Sequence, residues 1–563
     1  MSSPKTVSGR TSPHLLAKAD RLFRNDDASV WVEILQNARR ANATLVDITI
    51  EEHPSQQSTP IVTVHDNGHG IGNFQDLLTL GESGWNESTE AREDPAGMGF
   101  FALCRSEVTV ESGKHSVTIT PPVFLGQSEA KVVPLPQPVQ GTRIRFTRDS
   151  TKQQLIHALE RVTEFYTVEV RLDGKPLPRH DFLEGSLYRE EIDGIEVGFA
   201  PQFRWGHRSY PDENWNFYGA RIRGAELAFT GLLRPDRVQP YTVYARFNVL
   251  DTARVKLQLP DRKSIIEDRF SEEFLLKARA AAYRLFLMEG KHALPFKYWK
   301  EANALGITLP EAACLLSNWH AKPADDNAEP TFGSCGLKVL TDVSRVILVD
   351  RNLENRHTFE AAIECGAAVD GDLYFEEPEF TGYSWYDNRP RIVDTEIFLD
   401  GIAFDRKTHS ANRPKKIEVE VAIEQANTPE RRIRFSTPVH VESDSSIWFD
   451  FCFIAVENSP WDNADLTGPF PIVDFIIGAT FCPSDDADAD SWETQSDRYE
   501  EEVRREANAY FRGPKATLLA ILKDALDYRA CTLAEELDVH EIRFTRAEGA
   551  QSWSINLGCQ ETA

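Results

Sequence analysis

EILQN at 33–37, DNGHG at 66–70 and GMGFF at 97–101 are the stretches whose residue types, order and spacing decide how this chain is read. Glu33 and Asn37 stand four apart, so a helix there places both side chains on one face. IVTVHD at 61–66 alternates as a strand does and ends on a carboxylate, Asp66. A side chain at a strand end projects into the cleft that opens there. Gly68 and Gly70 give the backbone access to φ > 0 and to close approach by a ligand. Gly97 and Gly99 precede the apolar run FFALC, which reads as a helix start whose exposed N–H groups cradle phosphate.

These residue types match the parts of a nucleotide bound without a Walker loop. A carboxylate at Asp66 accepts a hydrogen bond from an exocyclic amine, which adenine has and the O6 edge of guanine lacks. Mg²⁺ takes oxygen ligands and keeps several waters, so the amide oxygen of Asn37 together with phosphates suffices. Glu33, one helical turn earlier, is placed to polarise an attacking water. Taken singly, each motif has a plainer reading: a solvated helix face, an Asn-Gly turn, a weak helix start. Their joint order is what carries the nucleotide reading.

The ordered set resembles the GHKL, or Bergerat-fold, ATPase superfamily, which includes gyrase B, the ninety-kilodalton heat-shock chaperones, histidine kinases, MutL and MORC proteins. The resemblance implies Glu33 as general base, Asn37 as the Mg²⁺ ligand and Asp66 as the adenine reader. It lays Gly68, Gly70, Gly97 and Gly99 along the phosphate path, with Ile71, Met98 and Phe100 beside them. Gly141 and Thr142, in QGTRIRF, match the family's last motif, where a small residue and a hydroxyl close the adenine pocket. GESGWNESTEAREDPAG at 81–97 looks like the mobile ATP lid. Many relatives carry an aspartate three residues after the asparagine; here that position is Arg40. That aspartate is read as structural, so binding is expected to survive its absence.

Beyond about residue 165 the resemblance thins. TVEVRLDGKPL at 167–177 opens a second unit, which runs to about 290 and is similar in position to the transducer domain of gyrase B, MutL and the chaperones. By the match of LQLPDRKSIIED to a chaperone loop, Arg262 is the γ-phosphate sensor, with Lys263 beside it and Lys256 in reserve. The plainer reading of that segment is a surface turn before a helix. The fold expected is α/β. An N-terminal sandwich at 1–165 is followed by a transducer-like α+β domain at 166–290 and a helical connector and linker at 291–330. A β-rich domain at 331–482 comes next, then an acidic loop with an α+β end at 483–563.

Composition narrows the setting. A chain of 563 residues is too long for one core. Its apolar fraction of 41% and charged fraction of 27% are those of an ordinary globular protein. No apolar run reaches the length of a membrane span and the first residues lack a signal-peptide core, so a cytoplasmic location is expected. The eight cysteines stand singly, without CxxC, and read as reduced thiols. The net charge of −26 is uneven: residues 331–563 hold 23 Lys and Arg against 44 Asp and Glu. Such a surface repels phosphate and disfavours broad DNA binding there. Asp486, Asp488 and Asp490 have calcium-loop spacing, but Ser491 stands where the loop needs glycine.

The resulting expectation is an ATPase with ATP and Mg²⁺ as cofactors, acting as a conformational clamp that dimerises when ATP binds. A chaperone-like protein client is favoured. A MutL- or MORC-like nucleic-acid clamp, or an interaction protein that binds ATP without hydrolysing it, are the alternatives.

Overall fold

Alternating apolar positions build the first sheet. In LVDITIEEH the residues Val46, Ile48 and Ile50 point to one face and are buried. In the next strand Val62 and Val64 do the same. The computed structural model describes residues 26–53, 56–79, 85, 89, 99–201, 213–234, 237–250, 254–258, 264–319, 337–405, 413–443, 451–457, 472–481, 490–525, 539–546 and 554–559. The chain divides into two units, Met1–Ala313 and Cys314–Ala563.

In the first unit, helix α1 (Asp27–Arg40) precedes β1 (Leu45–His53), β2 (Gln56–Asp66), β3 (Val108–Ile119) and β4 (Val132–Thr147). Helix α2 (Lys152–Thr163), β5 (Glu169–Leu172) and β6 (Lys175–Pro176) complete the layer. The sheet runs β3-β4-β2-β1-β5-β6; β5 lies parallel to β1 and the other pairs are antiparallel. Asp26 caps α1 by accepting from the Ser29 N–H at 2.7 Å, and Arg39 and Arg40 face the negative end of its dipole. Val30, Trp31, Ile34, Leu35 and Ala38 turn inward and share a core with Leu155 and Leu159 of α2. The indole N–H of Trp31 donates to the Leu155 carbonyl at 3.1 Å, locking the two helices side by side. Two helices on one face of a mixed sheet is the expected α/β sandwich.

A second sheet follows in the same unit, from β7 (Tyr188–Ile192), β8 (Ile195–Ala200), β9 (Trp215–Phe217), β10 (Ala220–Ile222), β11 (Ala228–Arg234) and β12 (Arg237–Val249). Its order is β10-β9-β12-β8-β7, with β11 also on β12. Helix α3 (Arg269–Glu289) is capped by Asp268 and stopped by Gly290 at φ +73°. Its Phe274, Ala278, Ala281, Ala282, Leu285 and Phe286 are fully buried and share the second core with Val197, Phe199, Trp215 and Phe247. Helix α4 (Phe296–Ala304) ends the unit.

The second unit opens with β13 (Cys314–Ser317) antiparallel to β14 (Leu337–Leu340), so a strand lies within the stretch expected to be a helical connector. Next come β15 (Val346–Val349), α5 (Arg356–Glu364) and β16 (Asp372–Phe375), a parallel β-α-β unit. It extends through β17 (Arg391–Leu399), with β18 (Ile402–Ala403) on its edge, to β19 (Ile417–Gln425) and β20 (Thr428–Thr437). The remaining elements are β21 (Val439–Ser443) with β22 (Phe451–Ala455), helices α6 (Ile472–Thr480), α7 (Trp492–Arg512) and α8 (Pro514–Ala525), and the hairpin of β23 (Val539–Thr545) with β24 (Ser554–Cys559). Strand-rich α/β architecture therefore continues to the C-terminal end. Among the described residues no helix is long and apolar enough to cross a membrane.

Candidate nucleotide site

Four separate stretches converge at the C-terminal end of β2. Asp66 is the last residue of that strand and is buried. It pairs across the sheet with Thr142 of β4, which pairs in turn with Ser112 of β3. Asp66, Thr142 and Ser112 thus form one row across three strands, all three buried. Gly141, beside Thr142, has φ +72°, and a Cβ there would lie 2.0 Å from the Asp66 carbonyl oxygen. Gly70 has φ +79°, and a Cβ there would lie 2.6 Å from Ser112 Oγ. Ser112 Oγ holds these turns together: it donates to the Gly141 carbonyl at 2.8 Å and accepts from the Ile71 N–H at 2.8 Å.

The turn after β2 is also tied to α1. The His69 N–H donates to the Ala41 carbonyl at 2.9 Å, at the end of that helix. Asn67 Oδ1 accepts from the N–H groups of Thr44 and Leu45 at 2.8 and 3.0 Å. Gly68 is required here for close approach rather than for positive φ: a Cβ would lie 2.6 Å from the Ala41 carbonyl oxygen and 2.7 Å from its Cβ. On the opposite side Gly99 meets Glu33, where an added Cβ would lie 2.0 Å from Glu33 Oε2. The first and third motifs are therefore in contact through a glycine and a carboxylate. Gly99–Leu103, FFALC included to Leu103, is a short 3-10 helix and not the α-helix start expected. Phe100 and Phe101 pack on Phe124, with ring centroids 5.5 and 5.7 Å away.

Asn37 shares the half-buried face of α1 with Glu33, and its Oδ1 accepts from Arg40 Nη1 at 3.1 Å. The residue that departs from the family pattern therefore reaches the oxygen expected to face a metal. An amide oxygen has two lone pairs, so one remains for a cation. Among the described residues no cluster of three or more His, Cys, Asp or Glu is placed to hold a metal. A single amide oxygen suits Mg²⁺ arriving with phosphates, which supply further oxygens. At Gly68, Gly70, Gly99 and Gly141 an added Cβ would collide with Ala41, Ser112, Glu33 and the Asp66 backbone, so the missing side chains let the motifs pack against one another. Gly97 and Met98, the lid at 81–97 apart from Trp85 and Thr89, and Arg262 and Lys263 lie outside the described residues, as do Asp486 and Asp488. Lys256 is exposed.

Burial raises the Asp66 pKa above the ordinary value of 3.8; the N–H groups of Gly68 and Thr142 and the nearby His65 and His69 act against the rise. Gly68 N donates to Asp66 Oδ1 at 2.9 Å. A buried carboxylate is costly unless hydrogen bonds satisfy it.

Residues 27–140 match the family described as "Histidine kinase-, DNA gyrase B-, and HSP90-like ATPase". This segment is a GHKL-type ATPase domain. The match spans α1, β1, β2, β3 and most of β4, and stops one residue before Gly141 and Thr142. No curated protein matches the chain. Among solved structures, the ATPase region of Saccharomyces cerevisiae topoisomerase II is similar at 13% identity and a TM-score of 0.29, over 42% of this chain and 76% of that one. The N-terminal domain of a DNA repair protein is similar at 11% identity and a TM-score of 0.27, over 47% of this chain and 95% of that one.

Ser112, Asn67 and Tyr166 escaped the sequence reading. Asn67 carried a signal, since Asn in a turn commonly bonds nearby backbone. Ser112, in VTVES, carried none beyond its place in an alternating strand. In this GHKL domain Gly141→Ala is expected to cost at least about 1–3 kcal/mol of stability, because it combines strained φ with a backbone collision. Gly72→Ala, where a Cβ meets nothing within 4 Å, is expected to stay within about 0.5 kcal/mol. Thermal melts of the two variants make the comparison.

Proposed function

We propose that this protein binds ATP in the GHKL site, closes as a dimeric clamp on a protein client while ATP is bound, and hydrolyses that ATP slowly. The observation that carries the reading is the meeting of Glu33 with Gly99 on one side and of Asp66 with Gly141 on the other. It brings the three motifs and the Gly141–Thr142 segment together, with the carboxylates of Glu33 and Asp66 among them. Asp66 accepts the exocyclic amine of adenine. Gly68, Gly70, Ile71, Gly97, Met98, Gly99 and Phe100 follow the phosphates, and Thr142 closes the base pocket beside Asp66. Glu33 orients the attacking water and takes its proton.

Asn37 would hold Mg²⁺, which when bound neutralises phosphate charge. Because Arg40 donates to the same amide oxygen, the metal enters with the nucleotide rather than alone. Arg262, with Lys263 next to it, reaches the γ-phosphate from the second domain and makes closure depend on ATP rather than ADP. Slow turnover follows where closure limits the rate.

The client assignment rests on charge. The second unit carries most of the −26, and a phosphate backbone is repelled by such a surface. A non-hydrolysable ATP analogue with Mg²⁺ is expected to double the particle mass in light scattering. Low-salt titration with duplex DNA is expected to add no mass. A mass that stays monomeric at high protein concentration sinks the clamp. DNA binding that falls steeply with salt moves the protein to the nucleic-acid alternative.

A further inference from the structure

Gln36 lies between Glu33 and Asn37 on α1 and is buried. Its Nε2 donates to the carbonyls of Phe217 at 3.3 Å and Tyr218 at 2.8 Å, and its Oε1 accepts from Arg39 Nε at 3.2 Å. The Arg39 guanidinium lies 3.8 Å from the centre of the Tyr218 ring. Phe217 and Tyr218 belong to the tip of the β9–β10 hairpin, in the second sheet of the same unit. The helix that carries two of the candidate site residues is thus gripped, on a third, by a different sheet.

The tip is held firmly in an unusual shape. Tyr218 has φ +51° and Gly219 φ +95°. A bulky aromatic residue at positive φ is a true outlier, and such outliers persist where the surroundings fix them. Asn216 does so from below: its Oδ1 accepts from the Gly219 N–H at 2.9 Å, and its Nδ2 donates to Asn248 Oδ1 of β12 at 2.8 Å. Tyr166 does so from the side. A Cβ on Gly219 would lie 2.7 Å from Tyr166 Cδ2, and the Tyr166 hydroxyl donates to the Leu35 carbonyl of α1. Burial raises the pKa of that phenol, which keeps it a donor.

We infer that the hairpin tip at 217–220 is a strut that sets α1 in place, with Gln36 and Tyr218 acting as positioning residues for Glu33 and Asn37. A helix is stiff along its hydrogen-bonded ladder, so a shift of the tip carries Glu33 and Asn37 together. The path is contiguous: Asn248 to Asn216, the tip to Gln36, and Tyr166 to Leu35. β12 ends at Val249 and the chain continues into 250–263, which carries Lys256, Arg262 and Lys263. This inference rests on the nucleotide reading given above, and its test separates the two.

The experiment is hydrogen–deuterium exchange on the full chain with and without ATP, alongside ATP affinity and turnover. In the wild type, ATP is expected to slow exchange over 215–222, outside the pocket. Gln36→Met keeps the side-chain volume and removes both donors. It is expected to bind ATP within about threefold of wild type, to lose the protection at 215–222 and to turn over about tenfold slower or worse. Tyr218→Leu is expected to behave alike, and Tyr218→Phe, which keeps the ring over Arg39, to restore the wild-type pattern. The double variant Gln36→Met with Tyr218→Leu should be no worse than either single one, as for residues that act as a unit. Intact protection and turnover in Gln36→Met, or an equal loss of affinity and turnover, overturns the strut. A wild type that fails to bind ATP defeats the nucleotide reading alone. The strut is then decided without nucleotide: Gln36→Met must speed exchange of the amides at 33–40, and unchanged exchange there overturns it.

Discussion

Glu33→Ala is expected to bind ATP as tightly as the wild type and to hydrolyse it about 10²–10⁴-fold more slowly, the range a positioned general base supplies. The split between binding and rate follows from where the side chain sits. Glu33 is half-buried on α1, and its carboxylate abuts Gly99 rather than the Asp66 end of the cleft. Truncation removes the proton acceptor and leaves the base pocket untouched. It also opens space beside Gly99 without creating a clash. Glu33→Gln keeps the shape and removes the basicity, so it should match Glu33→Ala in rate. A Gln variant that stays active while the Ala variant fails would show that the side chain only props the Gly99 turn. Single-turnover measurements at saturating ATP distinguish these outcomes, since they read the chemical step without product release.

The parts of the candidate site whose placement was legible in the sequence are those set by one local pattern. Asp66 could be placed because IVTVHD alternates and stops on a carboxylate, and Glu33 with Asn37 because their spacing is a helical turn plus a fraction. Gly68 reads in the sequence as a residue for positive φ and ligand approach, whereas in the structure its missing Cβ makes room for Ala41. Its neighbour Ala41 belongs to the end of α1, a contact between elements that local sequence does not encode. FFALC has the composition of a helix start, but only Gly99–Leu103 winds before the turn at Cys104, and Phe101, Ala102 and Leu103 are drawn into the core. A run so short is settled by packing rather than by propensity.

In the second unit the strand pairing has no signature in the local pattern. VILV at 346–349 is a continuous apolar run, buried at all four positions, as parallel strands are. Such a run carries no period with which to tell parallel from antiparallel pairing. The helix after it, RHTFEAAIE, starts at Asn355, a residue type that favours N-caps, but here in a left-handed conformation with no side-chain cap bond. The strut at Phe217–Ala220 was illegible for another reason. WNFYGARIRG reads as a hairpin, but that its tip reaches Gln36 depends on how two sheets meet.

Asp66→Asn is expected to weaken ATP binding about 10- to 150-fold while making the nucleotide-free protein more stable at neutral pH. The loss corresponds to a charge-assisted hydrogen bond of about 1.5–3 kcal/mol, the one proposed between the carboxylate and the adenine amine. An amide still accepts on one side but presents N–H groups on the other, where they oppose the donor on the base. The gain in stability follows from the direction of the pKa shift. Burial raises the folded-state value above the ordinary 3.8, so between those two values the folded protein binds more protons than the unfolded chain. Stability then falls as pH rises through that window, and at neutral pH the whole cost is present. An uncharged Asn avoids it and keeps an oxygen for the Gly68 N–H. The melting difference between variant and wild type should therefore shrink on acidification and vanish below the ordinary aspartate value. Over the same range, wild-type ATP affinity should begin to fall at a pH above that at which an exposed aspartate titrates. Parallel melts and ATP titrations from neutral to acid pH measure both effects. A variant that loses binding and stability together would make Asp66 a structural residue of the β2 turn, and a variant that keeps its ATP affinity would move the base pocket elsewhere.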